Sequence, residues 1–335
     1  MGHATRCIPI INALIEHNFE PIIASDGIAL QLLQKEFPKL ESFELPSYNI
    51  TYSKKPKNLR LKLLKDTPHL LKTAKKEQKA IADFVKSNAI SGIISDNRFG
   101  VRHNDVPSVF ISHQLQVLSG NTTWFSTKIH QRIISKFDEC WIPDYADKNN
   151  LSGILGHVKN FGVPLKYLGA LSRFKKETLK TKYQLLVMLS GPEPQRTFLE
   201  EKLFGELKTY NGNICFIKGV IESQQTITQH KNMMIYNYMT SAELETTINE
   251  SEMVLSRSGY TTIMDLTKLE KKAFFIPTPG QYEQEYLAKK LESEGIAPFC
   301  KQNDFTLDLL SQVENYKGMI FKESQLNYKK LFGLF

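Results

Sequence analysis

Cysteine is scarce in this 335-residue chain, and long apolar runs are missing altogether. No stretch approaches the roughly 18 consecutive apolar residues a membrane-spanning helix needs, so a helical span is excluded. The four cysteines (Cys7, Cys140, Cys215, Cys300) lie far apart, without a CxxC pair or a histidine at zinc-binding spacing. That excludes a disulfide framework and a structural zinc, and leaves free thiols of a reducing compartment. At the start, Met1-Gly2-His3-Ala4-Thr5-Arg6 does not lead a basic segment into an apolar run, as a secretory signal would. The expected compartment is the cytoplasm. Internal repeats and low-complexity tracts are missing too.

The composition itself is ordinary: 41% hydrophobic and 23% charged, which fits a globular protein. Its length predicts two domains. Short β-rich runs alternate with amphipathic helical ones. Strands are expected at Glu20–Ser25, Gly92–Ser95, Ser108–Ser112, Glu139–Ile142, Gln184–Ser190, Ile214–Lys218, Met233–Tyr236, Met253–Ser256 and Ala273–Ile276. Between them, helical patterns include Cys7–His17, Ala74–Ser87, Thr197–Tyr210 and Thr261–Leu269. Apolar strands separated by helices give α/β units with parallel sheets covered on both faces. Gly162, Pro164 and Gly169 break the pattern before a fresh strand at Gln184. We therefore expect domains at 1–165 and 166–320, with a final helix over 321–335. A ligand is expected in the cleft between two such domains. The first unit opens at a turn, Gly2-His3, and its first central strand is missing from the pattern.

Chemistry concentrates in a few turns. Ser256-Arg257-Ser258-Gly259-Tyr260-Thr261-Thr262 follows a strand and opens a helix, so its backbone amides and the helix N-terminus can receive an anion. Arg257 would add a full charge. Asp265, one helical turn beyond Thr261, can reach a ribose hydroxyl. The loop Pro277–Tyr286 contains Gln284 and Glu285, whose donors and acceptors suit sugar hydroxyls. Ser190-Gly191-Pro192 offers a second anion turn, or a mere capping loop. In the first domain, His3, Asp96 and His113 lie at strand ends or turns, where ligands gather in open α/β sheets.

The run from Met253 to Pro298 resembles the C-terminal domain of glycosyltransferase family 28, which includes the lipid-linked N-acetylglucosaminyltransferases of peptidoglycan synthesis. Gly2-His3, with Pro9 behind it, resembles that family's N-terminal Gly-Gly-His loop without its leading glycines. The resemblance implies a GT-B architecture of two Rossmann-like domains, with a nucleotide-diphosphate sugar held mainly by the second. It further implies that Ser258 and Gly259 face the diphosphate, that Asp265 replaces a ribose-binding Glu, and that Gln284 binds the sugar. Glu285 stands where the peptidoglycan enzymes have a second Gln, and Ser241–Leu244 where the family contacts uracil. The implied reaction is metal-independent and inverting, with the nucleotide sugar as co-substrate and no further cofactor. Its acceptor would be a glycan or lipid-linked hydroxyl, and its base one of His3, Asp96 and His113. A nucleotide-sugar hydrolase, a 2-epimerase and a non-catalytic nucleotide-sugar-binding subunit remain alternatives.

The formal charge of +8 calls for an anionic partner. Between Lys54 and Lys79 ten Lys or Arg stand against Asp66 and Glu77, with leucines interleaved and Pro68 in the middle. Such a segment suits docking at the anionic inner face of a membrane, or is a solvated helix face with its leucines packed inward. No nucleic-acid-binding motif accompanies the charge, so nucleic acid is not an expected partner.

Overall fold

The computed structural model describes residues 2–48, 59–159, 161–220, 222–322 and 326–335, with side chains in the third helix described from His69 onward. Two compact units emerge: Met1–Arg173 together with Glu323–Phe335, and Phe174–Lys322. The expected cut at 165/166 moves toward the C-terminus. Leu165–Tyr167 is a strand paired with Glu139–Ile142, so it must stay with the first unit.

In the first unit α1 (Gly2–Glu16) leads to β1 (Ile23–Ser25), α2 (Gly27–Glu36), β2 (Ser42–Glu44) and α3 (Leu59–Ser87). Then come β3 (Ile93–Asp96), β4 (Ser108–Ile111), α4 (Thr123–Ile134), β5 (Glu139–Ile142) and β6 (Leu165–Tyr167). All the pairings are parallel, in the order β3-β4-β5-β6, with β1-β2 as a separate two-stranded sheet. Among the described residues β1 pairs only with β2, and β3 only with β4. Val109, Phe110, Ile111, Cys140, Trp141 and Ile142 are all 0% exposed, as strands covered on both faces require. β2 and β6 were not expected from sequence: each is three residues long and neither has a buried residue. The basic helix α3 runs through Pro68, although a proline removes one helical hydrogen bond. Lys54, Lys55 and Lys57 lie outside the described residues.

The second unit runs β7 (Tyr183–Met188), α5 (Gln195–Glu206), β8 (Ile214–Ile217), β9 (Ile227–His230), β10 (Met233–Tyr236), α6 (Ser241–Asn249), β11 (Ser251–Ser256), α7 (Tyr260–Lys268), β12 (Lys272–Phe275) and α8 (Tyr282–Ser293). One six-stranded sheet results, in the order β12-β11-β7-β8-β10-β9, parallel except for the edge strand β9. Its core joins Leu185, Val187, Phe216, Leu255, Phe274 and Phe305. Fully burying one such side chain contributes about 1.5–3 kcal/mol. The strand β9 escaped the sequence reading because all four of its residues are exposed and carry no apolar pattern.

The chain ends in α9 (Tyr328–Leu331) and a short 3-10 turn, Phe332–Leu334, packed within the first unit. Phe332 and Phe335 meet the Trp141 ring at 6.1 and 5.9 Å between centroids. Among the described residues, no helix is long and apolar enough to cross a membrane.

Candidate functional site

In the second unit the chain reverses its direction of travel across the sheet between β7 and β11. From β7 it passes to β8 on one side; β11 then falls on the other side, followed by β12. Such a switch point opens a crevice beyond the carboxyl ends of the two strands. Both expected anion turns sit there: Ser190-Gly191 after β7, and Arg257-Ser258-Gly259 after β11. The first turn of α7 presents backbone amides without intrahelical partners, while in α5 the Arg196 and Thr197 amides are taken by the Pro192 carbonyl and Glu193 Oε2. Gly191 has φ +103°, a conformation L side chains rarely adopt. Among the described residues, the one atom a Cβ there would meet within 4 Å is Thr278 Oγ1, at 3.8 Å, so this turn neighbours the Pro277–Tyr286 loop. Gly259 is the N-cap of α7 and is partly exposed.

Arg257 does not take the expected role. Its side chain points into the domain and is 1% exposed. Nη1 donates to the carbonyls of Ile276 and Pro277, both at 3.1 Å. Nη2 donates to the Gln195 carbonyl at 2.9 Å and to Gln302 Oε1 at 2.7 Å. Burial pushes its pKa down to about 10, which still leaves it charged at neutral pH. One guanidinium thereby ties the end of β12 and the start of α5 to the turn after β11. Ser258 is turned inward too: it is 0% exposed, and its hydroxyl donates to the Gln284 carbonyl at 2.8 Å. What this turn offers an anion is backbone, braced from beneath by two buried side chains.

The neighbouring loop is fixed by the residues expected to meet a sugar. Gln284 Oε1 accepts from the Thr278 amide at 2.8 Å, and Glu285 Oε1 accepts from the Gly280 amide at 3.0 Å. Both residues are half-buried; Gln284 uses both terminal atoms, its Nε2 donating to Gln281 Oε1 at 2.7 Å, whereas Glu285 holds the loop through Oε1. Thr261 and Asp265 share a face of α7 one turn apart, and both are half-buried. The α6 N-terminus, where Ser241–Leu244 lies, is closed by a reciprocal box in which Thr240 and Glu243 bond each other's backbone amides.

The first unit holds a cluster of a different kind. All three candidate bases meet around Arg6, a residue the sequence reading passed over. Arg6 is 2% exposed. Its Nε donates to Asp96 Oδ2 at 2.5 Å, its Nη2 pairs with Asp96 Oδ1, and its Nη1 donates to His113 Nδ1 at 3.1 Å. His3 Nδ1 lies 2.9 Å from Asp96 Oδ1 and 2.8 Å from Arg6 Nη2. The Cys7 thiol, pushed well up in pKa by burial, adds a weak donor to Asp96 Oδ2 at 3.5 Å. Burial opposes a charge on Asp96, but the Arg6 guanidinium and His3 outweigh it and hold the carboxyl well below the usual carboxylate range. Asp96 is therefore an ionised, enclosed anchor with little affinity for a further proton. His3, 54% exposed in its side chain, is the member open to solvent. His113 is buried, and because a guanidinium only donates, its Nδ1 must act as an acceptor there.

A family model for the glycosyltransferase family 28 C-terminal domain matches residues 179–330. Those residues form such a domain. Two relatives carry the name UDP-N-acetylglucosamine–N-acetylmuramyl-(pentapeptide) pyrophosphoryl-undecaprenol N-acetylglucosamine transferase. The one from Buchnera aphidicola is 25% identical over 67% of this chain and 58% of its own length. The one from Clostridium tetani is 24% identical over 94% of this chain and 86% of its own. Among solved structures, a spinosyn rhamnosyltransferase complexed with thymidine diphosphate superposes with a TM-score of 0.59 at 14% identity, covering 93% of this chain and 89% of that one. That likeness shows a GT-B-like fold. The matched residues include both turns at the switch point, and Ser190, Gly191, Arg257, Ser258, Gly259, Thr261, Asp265, Gln284 and Glu285. His3, Asp96 and His113 lie outside the matched residues. Helical spacing held the missed signal: Arg6 follows His3 by three residues, which puts both on one face of α1.

Proposed function

We propose that this chain is a glycosyltransferase that moves a sugar from a uridine or thymidine diphosphate donor to a hydroxyl acceptor with inversion. The observation that carries the reading is the switch point of a family 28 domain, where two glycine turns and the starts of α5 and α7 follow the carboxyl ends of the adjacent strands β7 and β11. The diphosphate is received by the amides at Ser190-Gly191 and Ser258-Gly259, and the positive ends of α5 and α7 stabilise the charge that grows as it leaves. Asp265 takes the ribose, and Gln284 and Glu285 take the sugar hydroxyls. The names of the relatives favour uridine diphosphate and an N-acetylhexosamine donor, with a lipid-linked acceptor.

In the transfer step, an acceptor oxygen attacks the anomeric carbon as the bond to the phosphate oxygen breaks. The acceptor proton goes to His3 Nε2 while Nδ1–H is held by Asp96, the arrangement of a base with its orienter. Asp96 is too firmly ionised to be that base, and His113 is turned to Arg6. Exposed Lys72, Lys75, Lys76 and Lys79 on α3 support docking at an anionic leaflet, where a lipid-linked acceptor resides. Pelleting with anionic vesicles, and failure to pellet with neutral ones, is the expected result.

The decisive experiment incubates the protein with UDP- and dTDP-sugars, with and without a lipid-linked acceptor, and follows nucleotide release and product mass. Release that requires acceptor, with the sugar found on it, is expected. Equal release without acceptor would make the protein a hydrolase, and interconversion of the donor sugar would make it an epimerase.

A further inference from the structure

The cluster around Arg6 contains a conflict that the proposed proton transfer has to resolve. A carboxylate beside an imidazole fixes its orientation, but it also favours the imidazolium, and an imidazolium cannot accept a proton. His3 Nδ1 has both an anion and a cation within hydrogen-bond distance: Asp96 Oδ1 at 2.9 Å and Arg6 Nη2 at 2.8 Å. Arg6 cannot accept, so its bond to Nδ1 and the bond from Nδ1–H to Asp96 exclude each other. With Nδ1–H on Asp96, Nε2 has a free lone pair; with Nδ1 accepting from Arg6, Nε2 carries the proton instead.

We propose that Arg6 is a positioning residue whose fixed charge offsets Asp96, so that the carboxylate can orient His3 while the imidazole stays neutral and able to act as a base. This rests on the transferase reading above and adds to it a residue that touches neither substrate.

Three features support it. Arg6 is held on two sides, by both oxygens of Asp96 and by His113 Nδ1, so its charge cannot swing away. It comes from the same helix as His3, one turn along, so the distance between the two is set by helix geometry. Two of the surrounding groups add no competing charge at neutral pH. The Cys7 thiol on α1 is raised by burial and stays protonated, and His130 on α4 is pushed down to about 4 by burial and by the nearby His113. His113 itself, after β4, accepts from Arg6. Asp96, at the end of β3, is the anion that contacts both Arg6 and His3.

The test compares wild type with Arg6→Gln, Arg6→Lys and the double variant Arg6→Gln/Asp96→Asn. Two measurements are made: the pH dependence of kcat/KM, and an NMR titration of His3 in the protein without substrate. An adjacent charge shifts a titration by about 1–3 pH units. In Arg6→Gln, His3 should take up its proton at least about one pH unit higher than in wild type, and the acid limb of kcat/KM should move with it. Activity should recover on the alkaline side. Arg6→Lys should restore most of the wild-type profile, and the double variant should bring the titration of His3 back while kcat stays low for want of an orienter. An unmoved His3 titration in Arg6→Gln overturns the proposal and leaves Arg6 as a structural brace. Should Arg6→Gln not fold, the double variant, which leaves no buried charge unpaired, decides: a His3 titration shifted downward in it, as loss of Asp96 alone would give, overturns the proposal. The NMR arm needs no transfer activity, so failure of the transferase reading and failure of this inference give different results.

Discussion

The two units solve opposite problems with the same α/β vocabulary. The second unit has one continuous six-stranded sheet, and its site is made of backbone: turns, helix N-termini and a loop braced by the buried Arg257 and Ser258. The first unit has two separate sheets among the described residues, and its site is made of side chains, an ion pair with two histidines around it. Backbone amides hold an anion in place without changing protonation, which suits a site that grips a diphosphate. Titratable side chains carry and relay protons, which suits a site that does chemistry. The comparison teaches that binding and proton transfer can be damaged separately.

Removing the proposed base gives the largest contrast. His3→Ala should lower kcat by about 10²- to 10⁴-fold, the usual contribution of a general base. Its effect on the dissociation constant for UDP should stay below about twofold, because His3 lies outside the family 28 domain. A parallel loss of nucleotide affinity by calorimetry would break the division of labour. The opposite experiment is Arg257→Met. It strands the carbonyls of Gln195, Ile276 and Pro277, and each buried acceptor left unpaired costs about 1–3 kcal/mol. Unfolding of the second unit should come earlier in denaturant, and UDP should bind at least about tenfold more weakly. Normal nucleotide binding in a destabilised variant would show that the turns hold their shape without this guanidinium.

Acid should separate the units next. In the first unit Asp26, Asp96 and Asp144 all have carboxyls lowered from the ordinary value of 3.8. Burial opposes the lowering in every case. Arg98 and Ser47 overcome it at Asp26, Arg6 and His3 at Asp96, and His157, Ser152 and backbone amides at Asp144. A carboxyl that is lower in the folded state stabilises the fold above its unfolded value, and that contribution is lost as pH falls through the folded value. The loss therefore begins near pH 4 and deepens below it. In the second unit the lowered carboxyls, Glu193 and Glu243, sit at exposed positions where solvent screens them, so less is at stake. Hydrogen exchange followed from pH 6 to pH 3 should show β3, β4 and β5 losing protection before β7 and β11. The reverse order would mean that the continuous sheet is the weaker one.

Much of this division is legible in the residues. The alternation of apolar strands and amphipathic helices located nine strands to within three residues at either end, because strands covered on both faces must be apolar throughout. The three strands it missed, β2, β6 and β9, contain no buried residue, so hydrophobicity carries no trace of them. The turns at Gly191 and Gly259 were visible because strand, small residues and helix start occur in sequence. The direction of Arg257 was not visible. A basic residue beside an anion turn looks like a ligand contact, and only the convergence of three distant carbonyls on one guanidinium turns it inward. Arg6 was hidden for a related reason: its partners Asp96 and His113 are 90 and 107 residues away, and the sheet alone brings them together.

The smallest expected effect tests the sugar end of the binding unit. Glu285 fixes its loop through one oxygen, Oε1, which accepts from the Gly280 amide at 3.0 Å. Gly280, at φ +81°, sits in a left-handed turn that this bond helps to hold. Glu285→Gln keeps a carbonyl oxygen for that amide and exchanges the second oxygen for an NH₂ donor, so stability should change by no more than about 0.5 kcal/mol. What changes is the hydrogen-bonding sense offered to the donor sugar. The ratio of kcat/KM values for UDP-N-acetylglucosamine and UDP-glucose should shift by up to about tenfold, a change worth about 1.4 kcal/mol. An unchanged ratio, with the fold intact, would restrict Glu285 to holding its loop and leave sugar selection to Gln284.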